Sequence, residues 1–308
     1  MMPKIPLFLT IDTEEDNSWI KPTNAKTHNV ENLYRFQLLC EKYNIKPIYL
    51  VNYLAASNKK FQEFINIHKT NLEIGLHLHA WNTPPKFDLT ANDLYYQPYL
   101  FEYPKEIIDK KIDFTIKLLQ DTFQTDIVSH RGGRYGISEQ IFESLAKQGI
   151  KIDCSVVPGF NWTNSLGDPL KKGGVDFTNY PQDIYEIYPN IIEIPVTTYI
   201  PKLILNSFSD NFILKRALNK LCNKKKLILR SSLNNISDLK KIIDVKLESN
   251  AEHLDYIIHS SELVKGTSSI IKNEQEEALF YKNLEEFFIY VSTKNIQSIT
   301  FKDYLKDK

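Results

Sequence analysis

Pro6-Leu7-Phe8-Leu9-Thr10-Ile11-Asp12, running straight into Thr13-Glu14-Glu15-Asp16, is a short apolar stretch that closes in acids. A run of this length bounded by polar residues reads as a buried strand. The same pattern recurs at 47–52, 72–79, 127–131, 151–155, 192–197, 254–259 and 296–301. Between these runs, 30–43, 61–69, 106–123, 138–147, 237–247 and 275–291 space their apolar residues at three and four, the mark of helices with one buried face. Strands alternating with helices predict an α/β fold of parallel strands with crossover helices. Barrels and open sheets of that kind both place their sites at the C-terminal ends of the strands, where these runs turn polar.

The 308 residues carry 42% hydrophobic and 25% charged side chains, enough apolar material for a sizeable core. Lys plus Arg equals Asp plus Glu at 38 each, so no global field recommends nucleic acid as a partner. Cys40, Cys154 and Cys222 lie far apart without CxxC spacing, which fits buried thiols in a reducing compartment and argues against a cysteine metal site. The N-terminal residues form no secretory segment, and no apolar run approaches the roughly 20 residues of a bilayer span, so a cytoplasmic location is expected. Residues 159–190, rich in Gly, Pro, Asn, Asp and aromatics, read as a long loop region. A basic amphipathic stretch at about 208–230 reads as a helical insertion, either a solvated face or a dock for an anionic or membrane surface.

Chemistry gathers at the strand ends. Asp12 and Glu14 share one side of an extended chain, and two converging carboxylates repel unless one holds a metal or a proton. Glu73-Ile74-Gly75-Leu76-His77-Leu78-His79-Ala80-Trp81 holds two of the seven histidines at i and i+2, so both imidazoles face one side of a strand. Neutral imidazole is the commonest protein metal ligand, and two His with one carboxylate leave positions open for water and substrate. His130-Arg131-Gly132-Gly133-Arg134-Tyr135-Gly136 combines glycines that permit close approach with arginines that could hold a base ionised. Asp153 ends the fifth run as a partner for an arginine or a histidine, and His259 ends the seventh as a candidate acid–base group.

The order of these segments resembles the polysaccharide deacetylases of the NodB-homology group, carbohydrate esterase family four. Thr10-Ile11-Asp12-Thr13-Glu14 looks like the first motif, Glu73 to His79 the second, and Arg131-Gly132-Gly133-Arg134-Tyr135-Gly136 the third. Asp153-Cys154-Ser155 resembles the fourth and Ile257-Ile258-His259-Ser260 the fifth. The resemblance implies a distorted (β/α) barrel of seven to eight parallel strands in one domain, 1–308. It further implies a divalent metal, most often Zn2+, and removal of an N-acetyl group from an amino sugar, such as a surface-glycan precursor.

By analogy Asp12 is the general base, Arg131 and Asp153 its supports, and His259 the general acid. The chain departs from the commoner first motif at Thr13, which makes Glu14 the acidic metal ligand. It also departs from the commoner histidine spacing, which would reach Trp81, so His77 and His79 are the paired ligands. Tyr135, Trp81 and Trp162 are expected to meet the sugar. A related amidase, or a silent carbohydrate-binding protein on the same fold, would use the same residues.

Overall fold

In a computed structural model, which describes residues 4–17, 24–201 and 226–308, every one of the eight apolar runs contains a strand. The described strands are β1 (Ile5–Thr13), β2 (Pro47–Val51), β3 (Glu73–Leu78), β4 (Ser129–Gly132), β5 (Ile152–Asp153) and β6 (Tyr185–Tyr188). They continue with β7 (Ile191–Glu193), β8 (Thr198–Tyr199), β9 (Leu227–Ile228), β10 (Leu254–His259) and β11 (Ile296–Ser298). Strands pair in the order β10-β1-β2-β3-β4-β5-β7, all parallel, while β11 runs parallel to the first residues of β1. Between β7 and β10 no ladder forms. Single bonds carry the ring across instead: Thr197 N–H to Asp255 O at 3.2 Å, Leu229 N–H to Thr197 O at 2.8 Å, and Ile257 N–H to Leu229 O at 3.1 Å. The chain is thus a distorted (β/α) barrel, as the resemblance implied.

Strand alternation sorts the core into two shells. Phe8, Ile48, Leu50, Ile152, Cys154 and Ile194 form one cluster with Phe301, inside the barrel. Leu7, Leu9, Ile11, Tyr49, Val51, Ile74, Leu76 and Leu78 belong to the other, with helix residues such as Phe36, Ile116, Leu145 and Phe287. The two-residue period of a strand then puts Thr10 and Asp12 on the side of Phe8, and Gly75 and His77 opposite Leu76. Apolar side chains fill the lower interior, and polar ones crown its C-terminal end.

The crossover helices start where local chemistry allows. Asn58, Ser138 and Asn273 cap Lys59–His68, Glu139–Lys147 and Glu274–Ser292, each accepting a bond from a first-turn backbone N–H. Two expectations need correction. The 159–190 stretch is not loop throughout, because Tyr185–Tyr188 pairs antiparallel with β7 through a tight turn that holds Asn190 at φ 68°. The last strand ends at Ser298, and Phe301 begins the helix Phe301–Lys306 because Thr300 and Asp303 cap it reciprocally. Most of the basic stretch, 208–225, lies outside the described residues. Its end supplies β9 and brings Arg230 to the mouth of the barrel.

Candidate metal centre and active site

Glu14, His77 and His79 meet at the C-terminal end of the barrel, all three buried. Glu14 Oε2 lies 3.3 Å from His77 Nε2 and 3.0 Å from His79 Nε2, and the two Nε2 atoms are 3.1 Å apart. Tetrahedral coordination with bonds of about 2.0–2.1 Å puts neighbouring ligand atoms roughly 3.3 Å apart, so the triad fits one ion. The outer nitrogens are committed elsewhere. His77 Nδ1 donates to the Arg131 carbonyl at 2.9 Å, and His79 Nδ1 to Glu15 Oε1 at 3.1 Å. Both imidazoles therefore turn Nε2 toward each other and toward Glu14 Oε2, a grouping that suits a cation or a proton at its centre.

Glu15 is itself fixed by Asn52 Nδ2 at 2.6 Å and Asn82 Nδ2 at 2.9 Å. Glu15, the acid next to Glu14 in sequence, therefore orients His79 rather than joining the triad. Burial alone would raise the Glu14 carboxyl, but His79 and His77 hold it well below the usual range. Burial would likewise lower His79, yet Glu15 and Glu14 push it up to about 10.

Beside the triad stands Asp12. Burial works to raise its carboxyl, and Arg131 overcomes this to keep it ionised, with Arg131 Nη1 donating to Asp12 Oδ1 at 2.8 Å. Arg131 is completely buried, and all three of its nitrogens donate. Its Nε donates to Cys154 O, and its Nη2 to Thr10 Oγ1 at 2.9 Å and to Asp255 Oδ2 at 2.8 Å. His259 Nε2 faces Asp12 Oδ2 at 3.5 Å, and its Nδ1 lies 3.4 Å from Glu262 Oε2. Glu262 bonds Arg230 in turn, and despite burial Arg230 and His259 bring its carboxyl down to about 2.

Nine of the ten residues singled out from the sequence line or frame this one cavity: Asp12, Glu14, His77, His79, Trp81, Tyr135, Trp162 and His259 line it, and Arg131 frames it through Asp12. Asp153 stands apart. It faces His130 across β4 and β5, one residue out of phase with Arg131, and its carboxylate accepts from His130 Nδ1 at 2.6 Å and Ser155 N–H at 3.0 Å. Cys154 and Ile152 point into the barrel, so Asp153 points out of it. The second acid on Arg131 is Asp255, which sequence reasoning missed. A lone acid within Leu254-Asp255-Tyr256-Ile257-Ile258, four residues and hence an even step before His259, was the available signal. Glu262 and Glu15 were missed as partners of the two histidines for want of any local pattern.

The cavity holds ≈ 420 Å³. Trp81 stacks on His79 with centroids 4.3 Å apart, and Trp162 stacks on Tyr135 at 5.8 Å. Both indole N–H groups are buried without a partner among the described residues. Arg134 and Tyr135 are held at φ 55° and 58°, left-handed positions that non-glycine residues adopt at a cost and that cluster at functional sites.

No family model and no curated protein matches the sequence. Solved structures do match. A protein from Mycobacterium smegmatis assigned as a polysaccharide deacetylase superposes with a TM-score of 0.58 over 100% of this chain and 91% of its own, at 12% identity. The 4-alpha-glucanotransferase from Thermococcus litoralis superposes with a TM-score of 0.54 over 100% of this chain and 41% of its own, at 15% identity. Two different chemistries on one scaffold leave the reaction to be argued from the site. The fold itself is that of the NodB-homology deacetylases.

Proposed function

We propose that the protein is a metal-dependent hydrolase that removes an N-acetyl group from an amino sugar. The observation that carries this reading is the Glu14, His77 and His79 triad, with donor atoms 3.0–3.3 Å apart, beside Asp12 and His259 in one cavity. Two imidazoles and one carboxylate, with their outer nitrogens hydrogen-bonded, suit a catalytic Zn2+ that keeps an open position. When bound there, such an ion polarises the acetyl carbonyl and acidifies the attacking water.

The chain's own residues supply the proton traffic. Asp12, kept ionised by Arg131, takes a proton from the water as it attacks the acetyl carbon. The C–O bond forms, the C–N bond breaks, and His259 gives a proton to the departing amine, leaving acetate and the free amino sugar. Glu262, close to His259 Nδ1, orients the imidazole for that step. Trp81, Tyr135 and Trp162 offer aromatic faces to the pyranose. Arg131 acts through Asp12 as a positioning residue, and nothing assigns Asp153 a place near the reacting atoms.

Acetate release from a panel of N-acetylated sugars tests this. Asp12→Asn and His259→Ala should keep the wild-type circular dichroism and each lose on the order of 100-fold or more in rate. Wild-type turnover in both variants would end the assignment.

A further inference from the structure

Asp153 faces away from the barrel, and it has company there. The register makes His130 on β4, Asp153 on β5, Glu193 on β7 and Tyr185 on β6 successive partners, so their side chains form one row on the outer face of the sheet. His130, Asp153 and Glu193 are completely buried, and Tyr185 is half-buried. Two carboxyls therefore lie side by side on neighbouring strands, out of water.

Asp153 is equipped to carry a charge. Its oxygens accept from His130 Nδ1 at 2.6 Å, Ser155 N–H at 3.0 Å and Ser155 Oγ–H at 3.1 Å. Glu193 is not so equipped. Its Oε1 accepts from Val156 N–H at 2.9 Å, whereas its Oε2 accepts from no N–H or O–H among the described residues and has the Asp153 carboxyl as its neighbour. Two buried carboxyls hydrogen-bond only over a shared proton. The other groups around Glu193 leave it that way: Tyr185 and Cys154 bring no positive charge, His130 is given to Asp153, and the Arg131 guanidinium is turned inward to Asp12 and Asp255. Burial and Asp153 accordingly push the Glu193 carboxyl well above its usual range, while His130 overcomes burial to hold Asp153 below its own.

Asp153 in turn grips both chain neighbours of Arg131. It fixes the His130 ring directly, and it fixes Gly132 through Ser155, whose Oγ accepts from Gly132 N–H at 2.9 Å. Between those two anchors Arg131 holds Asp12 with its guanidinium and orients His77 with its carbonyl. We propose that Glu193 is a positioning residue for the hydrolysis, a role that rests on the deacetylase reading: its carboxyl O–H, donated to Asp153, completes a clamp that holds Arg131 from outside the barrel.

Glu193→Gln separates the proton from the shape. The amide keeps an oxygen for Val156 N–H and an N–H for Asp153, but it does not titrate. The folded wild type keeps a proton on Glu193 that the unfolded chain, near 4.5, loses, so stability from this group is present at low pH and falls as pH rises above that value. In urea melts the glutamine variant should gain on wild type between pH 5 and pH 8, by up to about tenfold in the folding constant per pH unit. At pH 7 it should release acetate with kcat within about twofold of wild type, whereas Glu193→Leu, which lacks the donor, should lose about tenfold or more in kcat with KM nearly unchanged, since no sugar contact is removed. Should the leucine variant misfold, Ser155→Ala cuts the link to Gly132 and should lower kcat in the same way. A wild-type kcat in folded Glu193→Leu or Ser155→Ala, a glutamine variant as slow as the leucine one, or a stability difference between glutamine variant and wild type that is equal at pH 5 and pH 8 would overturn this inference and leave the deacetylase reading intact. Wild type that releases acetate from none of the N-acetylated sugars would overturn both.

Discussion

Asp255 tells most about how Asp12 is held. Two acids compete for the buried Arg131, and burial pushes the Asp255 carboxyl up to about 7 against that arginine. The folded chain therefore keeps a proton that the unfolded chain, near 3.8, has already lost. Stability contributed by this group is present at low pH and falls as pH rises from about 4 to about 7. Asp255→Asn keeps one oxygen acceptor for Arg131, turns an amide donor toward Thr10, and removes that dependence. Its urea midpoint should gain on wild type between pH 5 and pH 8, and equal differences at both values would rule the account out. With Asp12 as the remaining acid on Arg131, the acid limb of the rate profile should also move to lower pH. Glu15 sets a second test at the same scale. Glu15→Gln removes the charge that receives His79 Nδ1–H and should weaken metal binding by about 10–100-fold, read by competition with a fluorescent chelator. Asp12, Glu14, His77, His79 and His259 were legible as residues because each ends or follows an apolar strand on its inward side. Their partners were not.

At the scale of elements, β3 delivers both imidazoles because a strand repeats every two residues, and the turn after β4 fixes how closely it can be approached. A Cβ on Gly133 would meet the Leu78 carbonyl and His79 Cδ2. Gly133→Ala should therefore push the His79 ring off the triad. Metal affinity should drop at least tenfold, while the overpacking costs about 1–3 kcal/mol of stability in urea. An unchanged metal titration would show that the turn does not brace the ligand. Sequence periodicity located the eight parallel strands and the long helices to within a few residues, since burial on one face leaves a repeating apolar signature. It overlooked Tyr185–Tyr188, where the turn at Asn190 was submerged in a loop-like composition, and the cap at Thr300 that ends the final strand early.

For the molecule as a whole, the triad ties β1 to β3 across the mouth of a barrel whose ring is carried by single hydrogen bonds between β7 and β10. An ion that binds the folded chain alone adds stability by mass action, about 2.7 kcal/mol at a free concentration 100 times Kd. Chelation should lower Tm and abolish acetate release, Zn2+ should restore both, and Glu14→Gln should shrink the Tm shift. A Tm indifferent to chelator and Zn2+ would remove the metal from the site. Among the described residues no helix is long and apolar enough to cross a membrane.

The sequence by itself determined where the strands and helices run and which strand ends carry nitrogen and oxygen donors, because periodicity is a local property of the chain. Only the tertiary structure decided who meets whom. Asp255 and not Asp153 lies on Arg131, Glu15 stands behind His79, and Arg134 joins Gln97 to Ser165 and Leu166. Those pairings join residues far apart in the chain, and a register shift of one residue turns a side chain from the barrel interior to its outside, as it does for Asp153.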